Sequence, residues 1–459
     1  MKKSIYLLIL CFCMIGCGEK LDLVPEDQLT QDIAFSTKEL AMGVLTGAYG
    51  NAQVSTALNG LPQLMGDFQS DNIDFVGSFP SLNEIKFYTT LSNNAEVGLV
   101  WDSAYEIIGT VNLVIANFPL VDDSDFTQEE RDNGIAQAKF LRALMHFQLA
   151  NWWSQPLQVS GGNDPAVPLV LDPFEGIPTF PARASMNEVY AQVEQDLLEA
   201  IPFLSDVDRS RATQGAAQGL LARLYLYQER WTEAADLANQ VIQNPAFSLA
   251  ADYSFYNTLS PEFLFTLVNE PTDPQLGLGF SNLANPQPVG RGDAPYSQDL
   301  LDAYAQESGD LRFTSLSQMG PDTSGFTKTF TSKYPDGVTN SDNAPVLRIT
   351  EMYLIRAEAN FRGSTTTGDM PLNDINTLRS RAGLPPLATL DLDTILNERR
   401  KELCFEGHRR MDLLRNNMNL RRPGMPNEAD SGPGQPKVIL PIPVNELDLN
   451  ENLVQNPGY

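Results

Sequence analysis

Residues 214–245 of the chain have the sequence QGAAQGLLARLYLYQERWTEAADLANQVIQNP. Small and aromatic side chains recur along it at helical intervals, among them Ala222, Tyr225, Trp231 and Ala234. The spacing predicts two helices joined by a short turn, and a proline follows the second helix. Because small residues let two helices approach closely, we expect these alanines and aromatic rings to lie in the core rather than at a ligand.

This helix pair resembles one tetratricopeptide repeat, a unit of about 34 residues. A partial repeat follows at residues 352–362, and a helix-start motif with capping-box spacing, Ser185 with Glu188, opens residues 185–204. A third helical pattern has its apolar face at Ala136, Phe140, Ala143, Phe147 and Ala150. The sequence therefore predicts a mainly α protein built on a tetratricopeptide-repeat-like helical scaffold.

Between the helical blocks lie long segments rich in Pro, Gly, Asn and Asp, at residues 155–182, 271–297 and 318–345. Long loops in a compact protein often carry function. We therefore expect a large loop-rich region that binds ligand, supported by the helices.

The N-terminus has the pattern of an export signal: Lys2 and Lys3 precede a short apolar run and the sequence CFCMIGC, which ends at Cys17. Its last four residues resemble a bacterial lipobox, in which the signal is cut before the cysteine and that cysteine receives acyl chains. This predicts a signal peptide over residues 1–16 and a lipidated leader over residues 17–30. A plain secretory signal, or a redox or metal role for the cysteines, remains an alternative. No later segment is expected to span a membrane.

Four further motifs follow one another toward the C-terminus: RITEMYLIRAEAN (348–360), INTLRSRAGLP (375–385), ILNERRKELCFEGHRRMDLLR (395–415) and ILPIPVNELDLNENLVQNPGY (439–459). Together with the lipobox and AKFLRALMHFQLANWW (138–153), they resemble the SusD/RagB family of outer-membrane nutrient-binding lipoproteins.

The resemblance implies a helical region over residues 31–260 and a C-terminal region over residues 261–459, packed as one body. It also implies a lipid-anchored place on the outer membrane, a SusC-like TonB-dependent transporter as partner, and an oligosaccharide or a peptide as ligand.

The composition excludes several classes of function. A net charge of −27 argues against nucleic acid, which requires a basic face. The sequence has no phosphate-binding loop, zinc-protease pair, nucleophile elbow or EF-hand loop, so neither an enzyme, a cofactor nor a metal is predicted. The acidic run at residues 122–125 could hold Ca²⁺, but such loop tips are more often simply solvated.

The charged segment at residues 395–415 could contain paired catalytic carboxylates, as glycosidases require. Basic residues alternate with the acids, however, and Glu406 and Arg410 have the spacing of a pair on one helix face. We therefore expect a structural ion-pair network, with Arg379 and Arg381 as further members, and a structural rather than a catalytic or metal-binding role for His408 and His146. The carboxylates concerned are Glu398, Glu402, Glu406 and Asp412.

A sugar ring packs its C–H face on an aromatic ring and binds its hydroxyls to charged or amide groups, so an exposed loop aromatic beside polar residues is the pattern to seek. Residues 67–80 and 280–296 have this mixture, and residues 326–337 are a third candidate. The predicted ligand contacts are Asp71, Asn72, Phe75, Phe79, Phe280, Arg291 and Tyr296.

The sequence favours a surface protein that captures an oligosaccharide and passes it to a transporter. Two alternatives remain open: capture of a peptide, and a helical-repeat scaffold that binds no small ligand. A hydrolase is disfavoured because the acids are interspersed with bases and the catalytic motifs are missing.

Overall fold

The computed structural model describes residues 30–275 and 277–459, where the chain forms 18 α-helices and four short strands. The predicted mainly α fold is confirmed. The predicted signal peptide and Cys17 lie outside the described residues. In chain order the elements are α1 (Gln31–Ala34), α2 (Lys38–Ala52), α3 (Leu61–Gln69), α4 (Pro80–Lys86), α5 (Ala95–Asn117), α6 (Gln128–Trp153), α7 (Leu157–Ser160), α8 (Met186–Ala200), α9 (Gln214–Tyr227), α10 (Trp231–Gln243), β1 (Phe263–Leu267), α11 (Phe280–Leu283), α12 (Gln298–Ala305), α13 (Leu311–Thr314), β2 (Ser317–Pro321), β3 (Thr327–Thr331), β4 (Ala344–Arg348), α14 (Ile349–Gly363), α15 (Pro371–Arg381), α16 (Leu392–Leu403), α17 (Arg409–Leu414) and α18 (Val444–Leu449).

The helix pair predicted from residues 214–245 is formed by α9 and α10. The Thr213 hydroxyl accepts a hydrogen bond from the Ala216 amide at 2.9 Å and so caps the start of α9. A Cβ at Gly219 would lie 2.9 Å from Leu264 Cδ1, so glycine at this position lets α9 pack closely on β1. Ala222, Tyr225 and Ala234 of the repeat are buried, as expected, whereas Trp231 is only partly buried.

The long helices form a row in which each packs against the next, in the order α2, α5, α6, α8, α9, α10, α14 and α15. The step from α10 to α14 joins helices that are separated in sequence by residues 244–348. All the β-strands and helices α11 to α13 lie in that interval, so the helical row carries a long loop-rich insertion. The division of the chain at residues 260 and 261 stays a prediction.

Two antiparallel strand pairs stiffen the insertion. Strand β1 is buried along its whole length and pairs with β4, with Phe263 opposite Arg348. Strands β2 and β3 form a hairpin in which Ser317 is opposite Thr331 and Pro321 is opposite Thr327. In the turn of this hairpin, residues 324–326 are exposed and Asp322 is buried.

One described segment, Ala95–Leu120, is long and apolar enough to cross a membrane by length and composition. The expectation that no later segment reaches that threshold is therefore wrong. In the structure its helix, α5, packs between α2 and α6. Val97, Trp101 and Ile108 are buried against these neighbours, so the apolar face of α5 belongs to the core of the helical row.

The charged segment at residues 395–415 forms two helices, α16 and α17, rather than one. The break occurs where Phe405 and Gly407 adopt φ values of 63° and 83°. It turns Glu406 away from Arg410, so the pairing predicted from their spacing is wrong. Glu406 instead binds Lys333 Nζ at 2.6 Å and Arg348 Nε at 2.8 Å.

The expected ion-pair network is present and buried. Glu398 lies 2.7 Å from Arg379, Glu402 lies 2.7 Å from Arg381, and Asp412 lies 2.8 Å from Arg399. His408 is buried beside Arg399, and burial lowers its pKa to about 4. The paired acids and the neutral imidazole therefore attach α16 and α17 to the rest of the fold.

Candidate ligand-binding site

The three candidate loops, at residues 67–80, 280–296 and 326–337, lie side by side and are joined by backbone hydrogen bonds. The Val76 amide donates to the Asp293 carbonyl at 2.8 Å, and the Asp74 amide donates to the Pro295 carbonyl at 3.1 Å. The next contact joins the second loop to β3, through the Tyr296 amide and the Thr329 carbonyl at 2.9 Å. Three segments that are separate in sequence thus form one irregular layer.

Asp71 and Asn72 are completely buried beneath this layer, so their predicted role as exposed ligand contacts is wrong. Arg409 Nε donates to Asp71 Oδ1 at 2.7 Å, and Arg400 Nε donates to Asn72 Oδ1 at 2.8 Å. Burial alone would raise the pKa of Asp71, but the Arg409 and Arg400 guanidinium groups hold it well below its usual range. These side chains hold the first loop against the charged helices.

The aromatic rings of Phe75, Phe280 and Tyr296 are also buried, and the expectation that they are exposed platforms is wrong. Their rings fill the space between the loop layer and the elements beneath it. Large aromatic side chains are usually buried in this way. Each packs on another ring: Phe75 on Phe68, Phe280 on Tyr334 and Tyr296 on Phe405, with centroids 4.9, 4.1 and 4.8 Å apart.

Phe79 is only partly buried, although it packs against the core, and Arg291 lies beside it. The Arg291 guanidinium carbon is 4.4 Å from the centre of the Phe79 ring, a cation–π contact, and 39% of the Arg291 side chain is exposed. Arg291 Nε also donates to Asp293 Oδ2 at 2.7 Å. Asn83 Nδ2 donates to the Phe79 carbonyl at 3.0 Å and holds the loop. The result is an aromatic ring and a cation in fixed positions.

Asp293 completes this group from below. Its Oδ2 is bound to Arg291, whereas its Oδ1 is buried and has no hydrogen-bond partner among the described residues. Burial raises the pKa of Asp293, against the effect of the Arg291 cation. A Cβ at Gly77 would lie 2.9 Å from the Asp293 carboxyl carbon, so glycine leaves the space that this carboxylate occupies.

Phe326, at the tip of the β2–β3 hairpin, begins the third candidate segment but was not among the predicted ligand contacts. Its side chain is 67% exposed. Asp322 Oδ1 accepts hydrogen bonds from the Ser324 amide at 2.8 Å and from the Phe326 amide at 2.9 Å, which fix the turn. The Thr323 amide donates to the Gly292 carbonyl at 3.2 Å, so the turn lies next to the Arg291 loop. The sequence signal was an aromatic directly after the turn glycine, Gly325.

Among the described residues no group of three or more His, Cys, Asp or Glu is placed to hold a metal ion. In the acidic run at residues 122–125, the Asp123 carboxylate instead accepts hydrogen bonds from the Lys38 and Asp125 amides, at 2.8 and 2.9 Å. The Phe79–Arg291 pair, and Phe326 on the neighbouring turn, offer aromatic rings and a cation to a ligand.

Comparison with known proteins decides the family. A model of the SusD family matches residues 296–459, and a model described as starch-binding and associating with the outer membrane matches residues 20–226. The chain belongs to the SusD/RagB family. The two matches leave residues 227–295 between them, an interval that contains α10 and the Arg291 loop.

Several SusD/RagB relatives resemble the whole or a part of the chain. A SusD-like protein of Formosa agariphila is 27% identical over the full length of both chains. The starch-binding protein SusD of Bacteroides thetaiotaomicron is 35% identical, over 28% of this chain and 22% of that protein. A SusD superfamily crystal structure from the same Bacteroides species superposes with a TM-score of 0.84 and 25% identity, covering 92% of this chain and 100% of that one.

Proposed function

We propose that this SusD/RagB protein captures a carbohydrate chain at the cell surface, on the face formed by Phe79, Arg291 and Phe326. The observation that carries the proposal is the fixed position of Arg291, between the Phe79 ring and the Asp293 carboxylate. Exposed aromatic rings bind the apolar faces of sugars, and charged groups beside them bind hydroxyls. Backbone hydrogen bonds hold both loops, which limits the ordering entropy that a ligand must overcome.

The comparisons support this choice of ligand class, because one matching family model and one relative are described as starch-binding. On this proposal the captured chain is passed to a SusC-like TonB-dependent transporter in the outer membrane. The protein is held there by acyl chains on Cys17, and more than one chain is needed for stable anchoring.

A panel of glycans, including starch and laminarin, tests ligand binding by affinity gels and calorimetry. We expect at least one glycan to bind, and we expect Phe326→Ala, Phe79→Ala and Arg291→Ala to weaken that binding with little change in melting temperature. Phe203→Ala is a matched control, because Phe203 is also an exposed phenylalanine but lies on the helical row.

Other results would point elsewhere. Binding of peptides but of no glycan would support the peptide alternative, and a stable protein partner with neither ligand would support the scaffold. Release of shortened products from a bound polysaccharide would contradict a pure binding role.

The anchor has its own test, since Cys17 lies outside the described residues. Mass spectrometry of the mature protein should find an N-terminal Cys17 that carries acyl chains. Cys17→Ser should release the protein from the membrane fraction without changing glycan affinity. A mature chain that begins at Met1, or an unmodified Cys17, would contradict the anchor but not the binding site.

A further inference from the structure

A small pocket lies between α3, α6, α9, β4 and the start of α17, and none of Phe79, Arg291 and Phe326 lines it. Its volume is about 100 Å³. A single buried water needs only roughly 10–15 Å³, and an apolar cavity of roughly 150 Å³ takes benzene. The pocket therefore has room for a small organic molecule, but it is too small for an oligosaccharide.

The wall of the pocket is largely apolar and buried, and one side of it reaches solvent. Buried apolar side chains of α6 and α17 line it: Leu144, Phe147, Trp152 and Met411. The lining residues that are only partly buried are Gln63, Gln148, Val346 and Gly407. A ligand can therefore enter between α3, α6, β4 and the turn before α17.

His408 offers this pocket a hydrogen-bond donor. Its Nδ1 lies 3.2 Å from Arg399 Nη2, which only donates, so Nδ1 accepts and the proton of the neutral ring is on Nε2. Burial lowers the pKa of His408 to about 4, so the ring is neutral at physiological pH. No described residue accepts from Nε2, and this nitrogen is accessible to solvent, unlike both ring nitrogens of His146. Because His408 lines the pocket, its Nε2–H is available to a ligand there.

Arg223 supplies a second donor beside His408. Its Nε and Nη2 bind the two Glu351 oxygens at 2.8 and 2.5 Å, whereas its Nη1 has no partner in the described part of the chain. Glu351 Oε1 lies 2.8 Å from Arg223 Nε and 3.6 Å from His408 Nδ1. The two side chains therefore meet at one buried carboxylate oxygen, and both line the pocket.

The pocket also borders a buried positive charge without a counterion. Arg410 is 2% exposed, and its guanidinium carbon lies 4.3 Å from the centre of the Trp152 ring. Its nitrogens donate to neutral oxygens of Gln69, Asn151 and Val438. It forms no ion pair with any Asp or Glu residue that the structure describes, and burial lowers its pKa to about 10. An anion bound in the pocket would compensate this charge.

The carboxylates nearest the pocket are already neutralised. Among the described lining residues Glu406 is the acidic one, and it lies 2.6 Å from Lys333 Nζ and 2.8 Å from Arg348 Nε. Glu351, behind the wall, is likewise shared between two cations. The charge left over is therefore that of one guanidinium group. A singly charged anion matches this excess, whereas a dianion would exceed it.

We propose that this pocket binds a small organic carboxylate. The carboxylate accepts hydrogen bonds from His408 Nε2 and Arg223 Nη1, close to the buried Arg410, and the body of the molecule packs against the apolar wall of α6. Two kinds of molecule carry this group, a hydrophobic acid and a sugar acid. The site goes beyond the proposed function and does not depend on it, because it shares no residue with the glycan face.

Titration calorimetry and saturation-transfer NMR on the full chain, with benzoate and with glucuronate, test the proposal. Benzamide and glucose are the matched neutral probes. We expect at least one acid to saturate a single site, and its neutral counterpart to bind about tenfold more weakly or worse, because the donors and the buried cation favour the charged group. Benzoate binding identifies a hydrophobic acid as the ligand class, and glucuronate binding identifies a sugar acid.

His408→Phe tests the donor, because it keeps a ring but removes the Nε2–H. It should weaken binding of the acid about tenfold or more. The matched control is His146→Phe, since His146 is also buried but does not line the pocket. The control should keep the affinity of the wild type.

Gly66→Ala tests the space without removing a polar group, and it decides the matter if His408→Phe does not fold. A Cβ at Gly66 would lie 3.5 Å from Arg410 Cβ and 3.9 Å from Trp152 Cζ2, so the methyl group fits and narrows the pocket. It should weaken binding of the acid several-fold. Gly43→Ala is its control, because a Cβ at this exposed position of α2 meets no other atom.

The outcomes separate this pocket from the glycan face. Failure of both acids to bind, or equal binding of an acid and its neutral counterpart, would overturn the proposal. Affinity for the acid equal to that of the wild type in either folded pocket variant would overturn it too. All four variants should keep the glycan affinity of the wild type, and its loss in Gly66→Ala would make the pocket part of the glycan site instead. Absence of glycan binding by the wild type would contradict only the proposed function.

Discussion

Arg409 donates two hydrogen bonds to Asp71, from Nε to Oδ1 at 2.7 Å and from Nη2 to Oδ2 at 2.8 Å, across 338 positions of sequence. Both side chains are buried. The pair joins the C-terminal charged segment to the end of α3, from which the first binding loop continues. Asp71 therefore controls where that loop lies, although it does not reach the surface itself.

Replacement of Asp71 should destabilise the fold. In Asp71→Asn the buried Arg409 and Arg400 lose their shared carboxylate, and loss of one partner from a buried ion pair typically costs about 3–5 kcal/mol. Urea denaturation measures the free energy of unfolding. Asp74→Asn is the control, because Asp74 is half exposed and its pair with Lys86 should contribute only about 0.2–1 kcal/mol. Equal losses in the two variants would contradict the structural role of Asp71.

Glu406→Ala should lower the melting temperature while glycan affinity stays intact in the protein that folds. The change leaves Lys333 and Arg348 without a carboxylate that both of them contact in the core. The expected loss is again several kcal/mol, since both cations remain buried. Glycan binding by the folded fraction, separated by size-exclusion chromatography, distinguishes this from a ligand contact, which would show weaker binding and unchanged stability.

Phe75 and Phe79 are four positions apart, but their substitution should affect different properties, stability for Phe75 and glycan binding for Phe79. Phe75→Ala removes a fully buried ring and should reduce the free energy of unfolding by about 3–5 kcal/mol. Phe79→Ala should cost less stability and should weaken glycan binding, because that ring is only partly buried and lies under Arg291. Calorimetry of both variants, with and without glycan, provides the comparison. A stable Phe75→Ala with weak binding would reverse the assignment.

Asp67 should make stability depend on pH. Burial raises the pKa of this carboxyl to about 7 in the folded chain, whereas the pKa of an unfolded Asp is about 3.9. Between these values the folded state binds a proton that the unfolded state has lost, so this group's contribution to the free energy of unfolding falls as pH rises from about 4 to 7. In Asp67→Asn that slope should disappear.

Chemical denaturation of both proteins at several pH values measures the effect of Asp67. The difference between variant and wild type should change by about 1.4 kcal/mol for each unit of pKa shift, in favour of the variant at higher pH. A pH-independent difference would show that Asp67 titrates normally in the folded protein.

Local patterns in the sequence determined the helical scaffold. The repeat at residues 214–245 formed α9 and α10, and the pair Ser185 and Glu188 formed the capping box that opens α8. Helix periodicity and caps depend on neighbours within a few positions, so they can be predicted from the sequence without knowledge of the tertiary structure. The charged segment at residues 395–415 also predicted an ion-pair network, because acids that alternate with bases can pair with them when they are buried.

Only the tertiary structure decided which loop residues reach solvent and which charges pair. Phe75, Phe280 and Tyr296 lie in segments with the composition of a sugar site, yet each is buried against another aromatic ring, whereas Phe326 at the hairpin tip is 67% exposed. Glu406 pairs with Lys333 and Arg348 rather than with its neighbour in sequence. Burial and charge pairing depend on segments that are distant in sequence and are brought together only by the fold.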